Sequence, residues 1–490
     1  MRYQGIAEQI ITDIQSEKLG HGSRMPSLRK LAQQFNVSMT TAINTYHHLE
    51  ELGWIIAKPQ SGFYVSRPLL ASKTPELPQF RSQLKSISFQ ESGINYQPGI
   101  YEPGPLGISQ LAPDLMPTEA LQRSLKRGLK RLSVQLHAYP DRQGDPALRL
   151  ALEEHFSAYG FPLSARDLVI TNGCIDAVRI ALETVSDPGD AIAISSPCFS
   201  GLLELLAGLN RKVVEIPSTT EGIDLDQFEA LLKAKTVKAG LFSTSHMNPQ
   251  GISMTADQKQ RLAEMANHYQ TPVIEDDIYI ELGQSKTLPL PAKYWDKGGY
   301  LLWCGSVSKT LSAGFRVGWC LPGRFFTAYE RRHGVNHFGV STPVQAGLAD
   351  FINTGQYHSH LNRIRTQLQQ NLKNYRQYLL DHLPDGCAVS QPTGGMVLWL
   401  QIPGLDSKQL WQEAIAEELD LRIGPAFTTL DLYQDYVRIN TGWPLDEKIE
   451  TLLASFVGLV NKQRVSKQQV GAQSKEKPDK QAQLTASGRA

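Results

Sequence analysis

The 490-residue chain has few cysteines, no strong excess of one charge and no long apolar run. Its five cysteines, at positions 174, 198, 304, 320 and 387, form no close pair and no metal-binding spacing. This pattern argues against a disulfide-stabilised secreted protein and indicates buried cysteines in a reducing, cytoplasmic compartment. The formal net charge of +1 points to no particular partner.

Membrane-directed segments are also missing from the sequence. No stretch approaches the roughly 20 consecutive apolar residues that a membrane-spanning helix needs. Glu8, Asp13 and Glu17 interrupt the first twenty residues, which argues against an anchor or a signal peptide. The chain contains 41% apolar and 20% charged residues, which is typical of a globular protein. Its 490 residues are too many for one hydrophobic core. We therefore expect a protein of at least two domains with no membrane partner.

Residues 1–66 have their own apolar periodicity. Isoleucines at positions 6, 10 and 14 mark a first helix, and similar spacings predict a second helix ending near residue 35 and a third ending near residue 52. Two β-type runs, 54–58 and 63–65, are joined by a short turn that ends in Gly62. Three helices followed by a hairpin predict an N-terminal winged helix-turn-helix of α+β type.

The remaining sequence predicts a linker, a two-part body and a tail. Residues 67–103 hold five prolines among many Ser and Gln residues, a composition typical of a linker. Within 104–462, a large domain at about 165–335 and a smaller α/β domain at about 340–462 are expected. Residues 463–490 are rich in Gln, Lys and Ser and predict a disordered tail.

Seven apolar runs in the large domain alternate with helical stretches such as 174–185 and 257–269. The runs lie at 168–171, 191–195, 213–216, 239–243, 272–275, 300–304 and 316–321. Strands that alternate with helices predict a mostly parallel seven-stranded sheet covered on both faces.

Lysine, aspartate, tyrosine and asparagine residues stand at strand ends or in loops of this large domain. Lys309 offers an amine that can form an imine, a Schiff base, with the aldehyde of pyridoxal phosphate. Asp276 ends a predicted strand, where a carboxylate can keep the pyridine nitrogen protonated and make the ring an electron sink. Asn248 and Tyr279 can donate hydrogen bonds to the phenolic oxygen, and Phe199 can stack on the ring face. The set predicts a pyridoxal phosphate pocket.

The phosphate of such a cofactor needs backbone donors and positive charge. A strand that ends at Gly173 before a helix can direct the N–H groups of Gly173, Cys174 and Ile175 at a dianion. Arg316 suits phosphate because its guanidinium presents planar paired donors. The cradle would be completed by the side chains of Ser306, Ser308 and Arg316.

Each of these residues also has a simpler explanation when it is taken alone. Lys309 could be a solvated surface lysine, Asp276 could cap a helix, and Arg316 could pair with a surface carboxylate. Phe199 and Tyr139 would by default pack in a core. The joint occurrence of several motifs, each in a strand-end or loop context, favours the cofactor pocket.

The sequence from about 105 to 462 resembles a fold-type I aminotransferase. The resemblance rests on Asn-Pro-Gln-Gly at Asn248, Asp-Asp-Ile-Tyr at Asp276 and Ser-Val-Ser-Lys at Ser306. It implies that Arg438 binds the carboxylate of a substrate or effector. It also implies that Tyr139 reaches the cofactor phosphate of the other subunit in a homodimer. The residues expected to carry chemistry are Lys309, Asp276 and Tyr279.

Residues 1–66 resemble the GntR-type winged helix, through Met-Pro-Ser-Leu-Arg-Lys-Leu-Ala at Met25, Val-Ser-Met-Thr-Thr-Ala at Val37 and Ser-Gly-Phe-Tyr-Val at Ser61. The start of the recognition helix would meet base edges in the major groove. Met39 stands where this family commonly places arginine. The expected DNA contacts are Arg29, Ser38, Met39, Thr40, Thr41 and Asn44, with Lys58, Gln60 and Gly62 in the wing. Six Lys and Arg against five Asp and Glu make this region only weakly basic, so dimerisation should assist binding.

A GntR-like head, a linker and an aminotransferase-like body together resemble the MocR subfamily of transcriptional regulators. The resemblance implies a homodimer that binds two half-sites of double-stranded operator DNA. Pyridoxal phosphate at Lys309 would sense its own abundance or an amino compound and change the affinity for DNA. Two alternatives stay open: a working aminotransferase that carries a DNA-binding domain, and a body that only dimerises the head.

Overall fold

A computed structural model describes residues 2–16, 18–20, 22–58, 61–66, 73–88, 104–285 and 287–475. The α-helices within these ranges are α1 Arg2–Gln15, α2 Leu28–Gln34, α3 Met39–Glu51, α4 Thr118–Leu132, α5 Pro146–Ala158, α6 Cys174–Val185, α7 Ser200–Gly208, α8 Leu225–Lys233, α9 Ala256–His268, α10 Phe326–His337, α11 Thr342–Asn353, α12 Gln356–His382, α13 Ser407–Ala416 and α14 Glu447–Lys475. The strands are β1 Ile55–Lys58, β2 Gly62–Val65, β3 Leu84–Ser86, β4 Val169–Thr171, β5 Ala191–Ser196, β6 Lys212–Thr219, β7 Gly222–Ile223, β8 Ala239–Phe242, β9 Val273–Asp276, β10 Leu301–Ser306, β11 Gly318–Leu321, β12 Ala388–Val389, β13 Val397–Gln401, β14 Arg422–Ile423 and β15 Tyr436–Asn440. None of the described helices has the length and apolar character needed to cross a bilayer.

The head folds as three helices and a two-stranded hairpin, which confirms the predicted winged helix-turn-helix. One face of each helix is apolar, and these faces meet in a small core with residues from the hairpin. Its members include Ile6, Ile10, Leu31, Ala42, Leu49 and Val65. In the antiparallel wing, Ile55 lies opposite Val65 and Lys58 opposite Gly62. The packing of α1 and α2 against α3 leaves the opposite face of α3 at the surface.

The central sheet of the body has the strand order β3-β6-β5-β8-β9-β10-β11-β4, with β7 paired to β6. Strands β6, β5, β8, β9 and β10 are mutually parallel, whereas β11 is antiparallel to both β10 and β4. All seven predicted runs are strands, so the predicted fold class is confirmed. The sheet has two additional short strands, β3 and β7. Because β4 points the same way as the parallel strands, the carboxyl ends of β4, β5, β8, β9 and β10 meet at one edge.

A smaller antiparallel sheet, β12-β13-β15-β14, forms the second part of the body. Helix α12 connects the two parts, because its first half packs in the core of the large sheet and its second half packs in the core of the small one. Leu361 and Leu368 belong to the first core, and Tyr375 and Leu379 belong to the second. The small sheet therefore has a fixed position relative to the pocket edge of the large sheet.

Two segments differ from the sequence predictions. Residues 73–88, inside the predicted linker, lie along the body: Leu84 pairs with Val214 of β6, and the Ser82 N–H donates to Gln227 Oε1 at 2.9 Å. A strand at the edge of a sheet pairs with only one neighbouring strand. A segment whose composition disfavours regular structure can therefore still form an edge strand. Helix α14 continues to Lys475, into the predicted tail, because Gln and Lys also favour helices. Residues 67–72, 89–103 and 476–490 lie outside the described ranges.

Candidate cofactor pocket and DNA-reading surface

The predicted cofactor residues gather at the edge where the parallel strands end. Asp276 is the last residue of β9, and Lys309 follows the end of β10 by three residues. Gly173 follows the end of β4 by two residues, and Asn248 follows the end of β8 by six. Arg316 lies two residues before the antiparallel strand β11, where the chain returns to this edge. The sheet topology thus brings together side chains that are far apart in sequence.

The amine of Lys309 lies beside Tyr279 and the segment that enters the body. Lys309 Nζ is 6.0 Å from the centre of the Tyr279 ring and donates to the carbonyl oxygen of Ser109. The Tyr279 hydroxyl donates to Ser109 Oγ at 3.0 Å. Ser109 therefore belongs to the pocket, although sequence analysis missed it. A serine in an irregular segment carries no pattern that could have identified it.

Asp276 is a buried carboxylate, only 6% exposed. Burial raises the pKa of Asp276 to about 6, and the nearby Asp277 adds to the increase, while Cys174 and Lys309 oppose it. Cys174 Sγ donates a hydrogen bond to Asp276 Oδ1 at 3.1 Å. Burial raises the pKa of the Cys174 thiol well above its usual value, so the thiol keeps its proton and remains a donor. A cationic partner would favour the ionised form of Asp276.

The start of α6 and the guanidinium of Arg316 face each other. Gly173 has a φ of 89°, and a Cβ at this position would lie 2.6 Å from Arg316 Nη2. No side chain caps α6, so the N–H groups of its first turn are open to an acceptor. Arg316 is exposed, has a left-handed backbone with φ 50° and ψ 42°, and donates to the Asn172 carbonyl at 3.0 Å. The arrangement suits a phosphate dianion.

The two serines of the lysine motif have different positions. Ser306 is buried, and its Oγ donates to the Val317 carbonyl at 2.8 Å and accepts from the Ser308 N–H at 3.1 Å. Ser306 therefore fixes the turn that carries Lys309. Ser308 is half-buried, with its hydroxyl 2.8 Å from that of Ser306. Ile175, the second residue of α6, has an exposed side chain.

Asn248 and Phe199 occupy the loops after β8 and β5. The Asn248 side chain is 6% exposed, and its Oδ1 has no hydrogen-bond partner among the described residues. The peptide bond between Asn248 and Pro249 is cis. Phe199 precedes α7, and its ring lies so close to Gly201 that a Cβ there would approach Phe199 Cε1 to 2.7 Å. A buried amide oxygen without a partner is uncommon and can accept a hydrogen bond from a donor group of a ligand.

Arg438 lies in β15, opposite Trp399 of β13, and is 3% exposed. Its Nη2 donates to the Gly107 carbonyl, while its Nε has no partner among the described residues. Burial lowers the pKa of Arg438 to about 10, so the guanidinium remains charged at neutral pH. A buried cation with an unused donor is suited to a ligand carboxylate.

Tyr139 is not part of a core, because 91% of its surface is exposed. Val335 and Phe338 are also large apolar side chains at the surface, and we call these three residues the outer apolar patch. Pro140, next to Tyr139, would lie 2.6 Å from a Cβ at Gly339, next to Phe338. His337 Nδ1 is 3.3 Å from Asn172 Nδ2, so the patch adjoins the predicted phosphate cradle.

The recognition helix α3 begins at a capped and exposed end. Ser38 Oγ accepts from the Thr41 N–H at 3.2 Å and lies 2.9 Å from the Thr41 hydroxyl, so both polar side chains are already engaged. Met39, Thr40 and Asn44 are also exposed on this helix. On α2, Arg29 is exposed as well.

The wing adds an arginine that sequence analysis did not single out. Arg24 forms a β-bridge with Tyr64, and its Nε would lie 3.7 Å from a Cβ at Gly62. Gly62 has a φ of 102° at the start of β2. The Lys58 side chain and Gln60 lie outside what the structure describes. Arg24 was missed because it precedes the helix-turn-helix motif and reaches the wing only through the fold.

Comparison with known proteins gives matches to both parts of the chain. Residues 2–65 match the family "Bacterial regulatory proteins, gntR family", and residues 106–456 match "Aminotransferase class I and II". The chain is 32% identical to the uncharacterized HTH-type transcriptional regulator YdcR of Escherichia coli (strain K12). The 465 aligned residues cover 94% of this chain and 99% of that protein. It is 25% identical to the "Probable rhizopine catabolism regulatory protein MocR" of Rhizobium meliloti, over 84% of each chain.

Solved structures resemble the body of the protein. The multiple substrate aminotransferase from Thermococcus profundus superposes with a TM-score of 0.67 at 24% identity, over 74% of this chain and 94% of that one. Pyrococcus horikoshii kynurenine aminotransferase, solved in complex with PMP, gives a TM-score of 0.67 at 25% identity, over 73% and 90%. The aminotransferase fold of the body is thereby confirmed. The chain belongs to the MocR subfamily of GntR-type transcriptional regulators, in which a winged helix-turn-helix precedes an aminotransferase-like domain.

Proposed function

We propose that the body binds pyridoxal phosphate and that Lys309 attaches it covalently through its ε-amino group. The residues present fit this cofactor. The missing side chain at Gly173 leaves room for the guanidinium of Arg316 beside the open start of α6. Asp276 is a buried carboxylate that a cation would stabilise, and Asn248 places a buried side-chain amide in the loop after β8. When bound, the cofactor supplies an electron-accepting ring.

Each residue of the pocket has one role in this proposal. Arg316 and the N–H groups of the first turn of α6 hold the phosphate. Asp276 binds the protonated ring nitrogen, and the Cys174 thiol orients that carboxylate through the hydrogen bond to its Oδ1. Tyr279, through its hydroxyl, and Asn248, through its Nδ2 amide, donate to the phenolic oxygen. The predicted contributions of Ser306, Ser308 and Phe199 are to shape the cradle and the ring face.

Arg438 gives the pocket a place for an amino compound. The guanidinium is charged and buried, and its Nε is free of protein partners among the described residues. A ligand carboxylate would pair with it while the ligand amine approaches Lys309. We therefore propose that the effector is either pyridoxal phosphate itself or an α-amino compound that binds beside it.

The regulatory step is a change in the position or mobility of the head when the pocket is filled. Helix α12 links the two ends: His360 Nε2 lies 2.8 Å from the carbonyl of Thr310, the residue after Lys309, and Gln377 near the other end donates to Ser66 Oγ of the head. A coupling of about 1–3 kcal/mol between ligand and operator would alter DNA affinity roughly 5- to 150-fold. The observation that carries this proposal is a cofactor-type pocket and a DNA-reading head joined through one helix.

The proposed assembly is a homodimer that places two heads on two half-sites of double-stranded DNA. The outer apolar patch supports it, because large apolar side chains that adjoin the phosphate cradle are suited to burial against a second subunit. Tyr139 would then contact the phosphate held by the partner subunit, as the resemblance implies.

Reduction with borohydride followed by peptide mapping tests the covalent cofactor site. The full-length protein is incubated with pyridoxal phosphate, reduced, digested and analysed by mass spectrometry. We expect one cofactor adduct, on Lys309, and none at this position in Lys309→Ala. An adduct confined to another lysine, or none at all, would refute the proposal. Lys293→Ala serves as the matched control, because that lysine pairs with Asp296 away from the pocket.

A second candidate function is transamination, and the buried, charged Arg438 favours it because a carboxylate site is what an amino-acid substrate requires. Incubation of the cofactor-loaded protein with single amino acids would then release the corresponding keto acid. Turnover that disappears in both Lys309→Ala and Arg438→Ala would establish an enzymatic activity in addition to regulation. Keto acid formation below that of free pyridoxal phosphate would exclude it.

A further inference from the structure

The exposed face of the recognition helix begins with two apolar side chains. Met39 and Ile43 lie one helical turn apart and are 43% and 38% exposed. They are among the large apolar side chains that the described part of the head leaves at its surface, whereas Ala42, Tyr46 and Leu49 on the other face of α3 are buried. Residues three or four apart share one face of a helix, so Met39 and Ile43 form a short continuous stripe.

Charge in the sequence on either side of the stripe, from residue 19 to residue 49, is of one sign. Residues 19–49 contain Arg24, Arg29 and Lys30 but no Asp or Glu, because the acidic residues of the head lie at positions 8, 13, 17, 50 and 51. All three cations are exposed, with Arg29 and Lys30 at the start of α2 and Arg24 beside the wing. The weak net charge of the head therefore conceals a stretch of sequence that carries exposed cations and no acidic residue. An apolar stripe on a helix that belongs to such a stretch is suited to a groove between phosphate backbones.

We propose that Met39 and Ile43 read the 5-methyl groups of thymines in the major groove of the operator, an inference that rests on the DNA binding proposed above. Their side chains have no strong hydrogen-bond donor or acceptor, so they cannot select guanine in the way that an arginine does. Thymine is the standard base that presents a methyl group in the major groove. The stripe thus selects A·T pairs by apolar contact.

The polar residues beside the stripe agree with this preference. Thr40 and Asn44 are exposed on the same side of α3. An asparagine amide can form two hydrogen bonds with adenine, which pairs with thymine. Met39 or Ile43 would touch the methyl group of a thymine. Asn44 can therefore contact the adenine paired with that thymine, or the adenine of a neighbouring base pair. The half-site is accordingly rich in A·T pairs where α3 enters the groove.

Substitution of uracil for thymine tests this inference, because it removes the methyl group and leaves base pairing intact. Duplexes are first selected from a random pool with the full-length protein, and the best one is resynthesised with single uracils. We expect binding to weaken about fourfold for each contacted methyl group, the equivalent of about 0.8 kcal/mol for one buried carbon group. Other thymines in the duplex should tolerate the change.

Two variants connect the methyl effect to the stripe. Met39→Ala and Ile43→Ala should each weaken binding to the thymine duplex and no longer respond to uracil at the position contacted by the lost side chain. Gln9→Ala, on the exposed face of α1, is the control and should respond to uracil as the wild type does. The altered side chains are exposed, so the variants should fold normally.

The possible results separate this inference from the proposed function. Equal affinity of the wild type for fully thymine- and fully uracil-containing duplexes would overturn methyl reading while DNA binding stands. Methyl sensitivity that persists unchanged in both variants would also overturn it. If the protein selects no duplex from the pool, DNA binding itself is refuted, together with the inference that rests on it.

Discussion

Individual residues in the pocket are suited to bind a ligand but lower the stability of the ligand-free protein. Asp276 is buried and has a pKa of about 6, well above the ordinary value of 3.8, because burial disfavours the charged form. Arg438 is buried with an unused donor. A buried carboxylate and a buried cation with an unused donor both destabilise the free protein, and each gains stability when a ligand brings the opposite charge.

Asp276→Asn should stabilise the cofactor-free protein and weaken its binding of pyridoxal phosphate. The wild-type carboxyl contributes to folded stability below pH 3.8, and this contribution is lost as the pH rises through about 6. The gain for the variant near neutral pH is up to about 3 kcal/mol, and it should shrink as the pH falls below 6. Thermal unfolding of both proteins near pH 7 and near pH 4 measures this difference. A variant that is less stable than the wild type near neutral pH would contradict the assignment.

The sequence predicted those site residues that occupy strand ends, because a strand end has a recognisable position. Lys309, Asp276 and Gly173 are of this kind. Ser109 was not predicted, and neither was the hydrogen bond from Cys174 to Asp276. Both depend on contacts between segments far apart in sequence, which composition and periodicity do not specify. The placement of all these residues as cofactor ligands remains a proposal.

At the scale of elements, helices α4 and α11 approach each other through glycines. A Cβ at Gly128 of α4 would lie 2.6 Å from the backbone nitrogen of Gly347 in α11. In the other direction, a Cβ at Gly347 would lie 2.5 Å from Leu125 Cδ2. Arg127 of α4 reinforces this contact through an ion pair with Asp350 at 2.6 Å. Backbone atoms cannot yield as a flexible side chain can, so this contact tolerates no added methyl group.

Gly128→Ala should lower the free energy of unfolding by about 1–3 kcal/mol, because the new methyl group would push the two helices apart. Gly458→Ala is the matched control, since Gly458 lies in α14 with no atom within 4 Å of its added Cβ. This control should raise stability by about 0.5–1 kcal/mol through the higher helix propensity of alanine. Chemical denaturation of the two variants measures both effects. Equal responses of the two variants would show that the helices are not in close contact.

The elements were largely predictable because strands that are buried on both faces are continuous apolar runs, and all seven such runs are strands. The exceptions have physical reasons. Strand β3 has three exposed residues, Leu84–Ser86, and acquires its structure by pairing with β6, so its own sequence has no strand pattern. Helix α14 passes residue 463 because a polar composition that suggests disorder also includes good helix formers.

At the scale of the whole molecule, polar contacts hold the two parts of the body together beside the pocket. Glu215 of β6 is buried and accepts hydrogen bonds from the Thr428 hydroxyl at 2.7 Å and the Thr429 N–H at 2.6 Å, both in the small domain. Hydrogen bonds to a buried charge are stronger than neutral ones. The pocket edge and the small sheet that carries Arg438 are therefore fixed relative to each other.

Introduction of negative charge into the outer apolar patch should break the proposed dimer. Val335→Asp combined with Phe338→Asp would bury two carboxylates from each subunit in the interface, which should raise the dimer dissociation constant roughly tenfold or more. Sedimentation velocity over a range of concentrations measures this change. Tyr294→Asp, at another exposed aromatic side chain, is the control and should leave assembly intact. A double variant that dimerises as tightly as the wild type would place the interface elsewhere.

The central claim is that a ligand held at Lys309 controls the binding of DNA by the head. Its most direct test is the affinity of the full-length protein for a selected operator duplex, with and without pyridoxal phosphate, for the wild type and for Lys309→Ala. The account predicts that the cofactor changes the affinity of the wild type by at least about fivefold, and leaves that of the variant unchanged. An equal response of both proteins, or no response of the wild type, would contradict it.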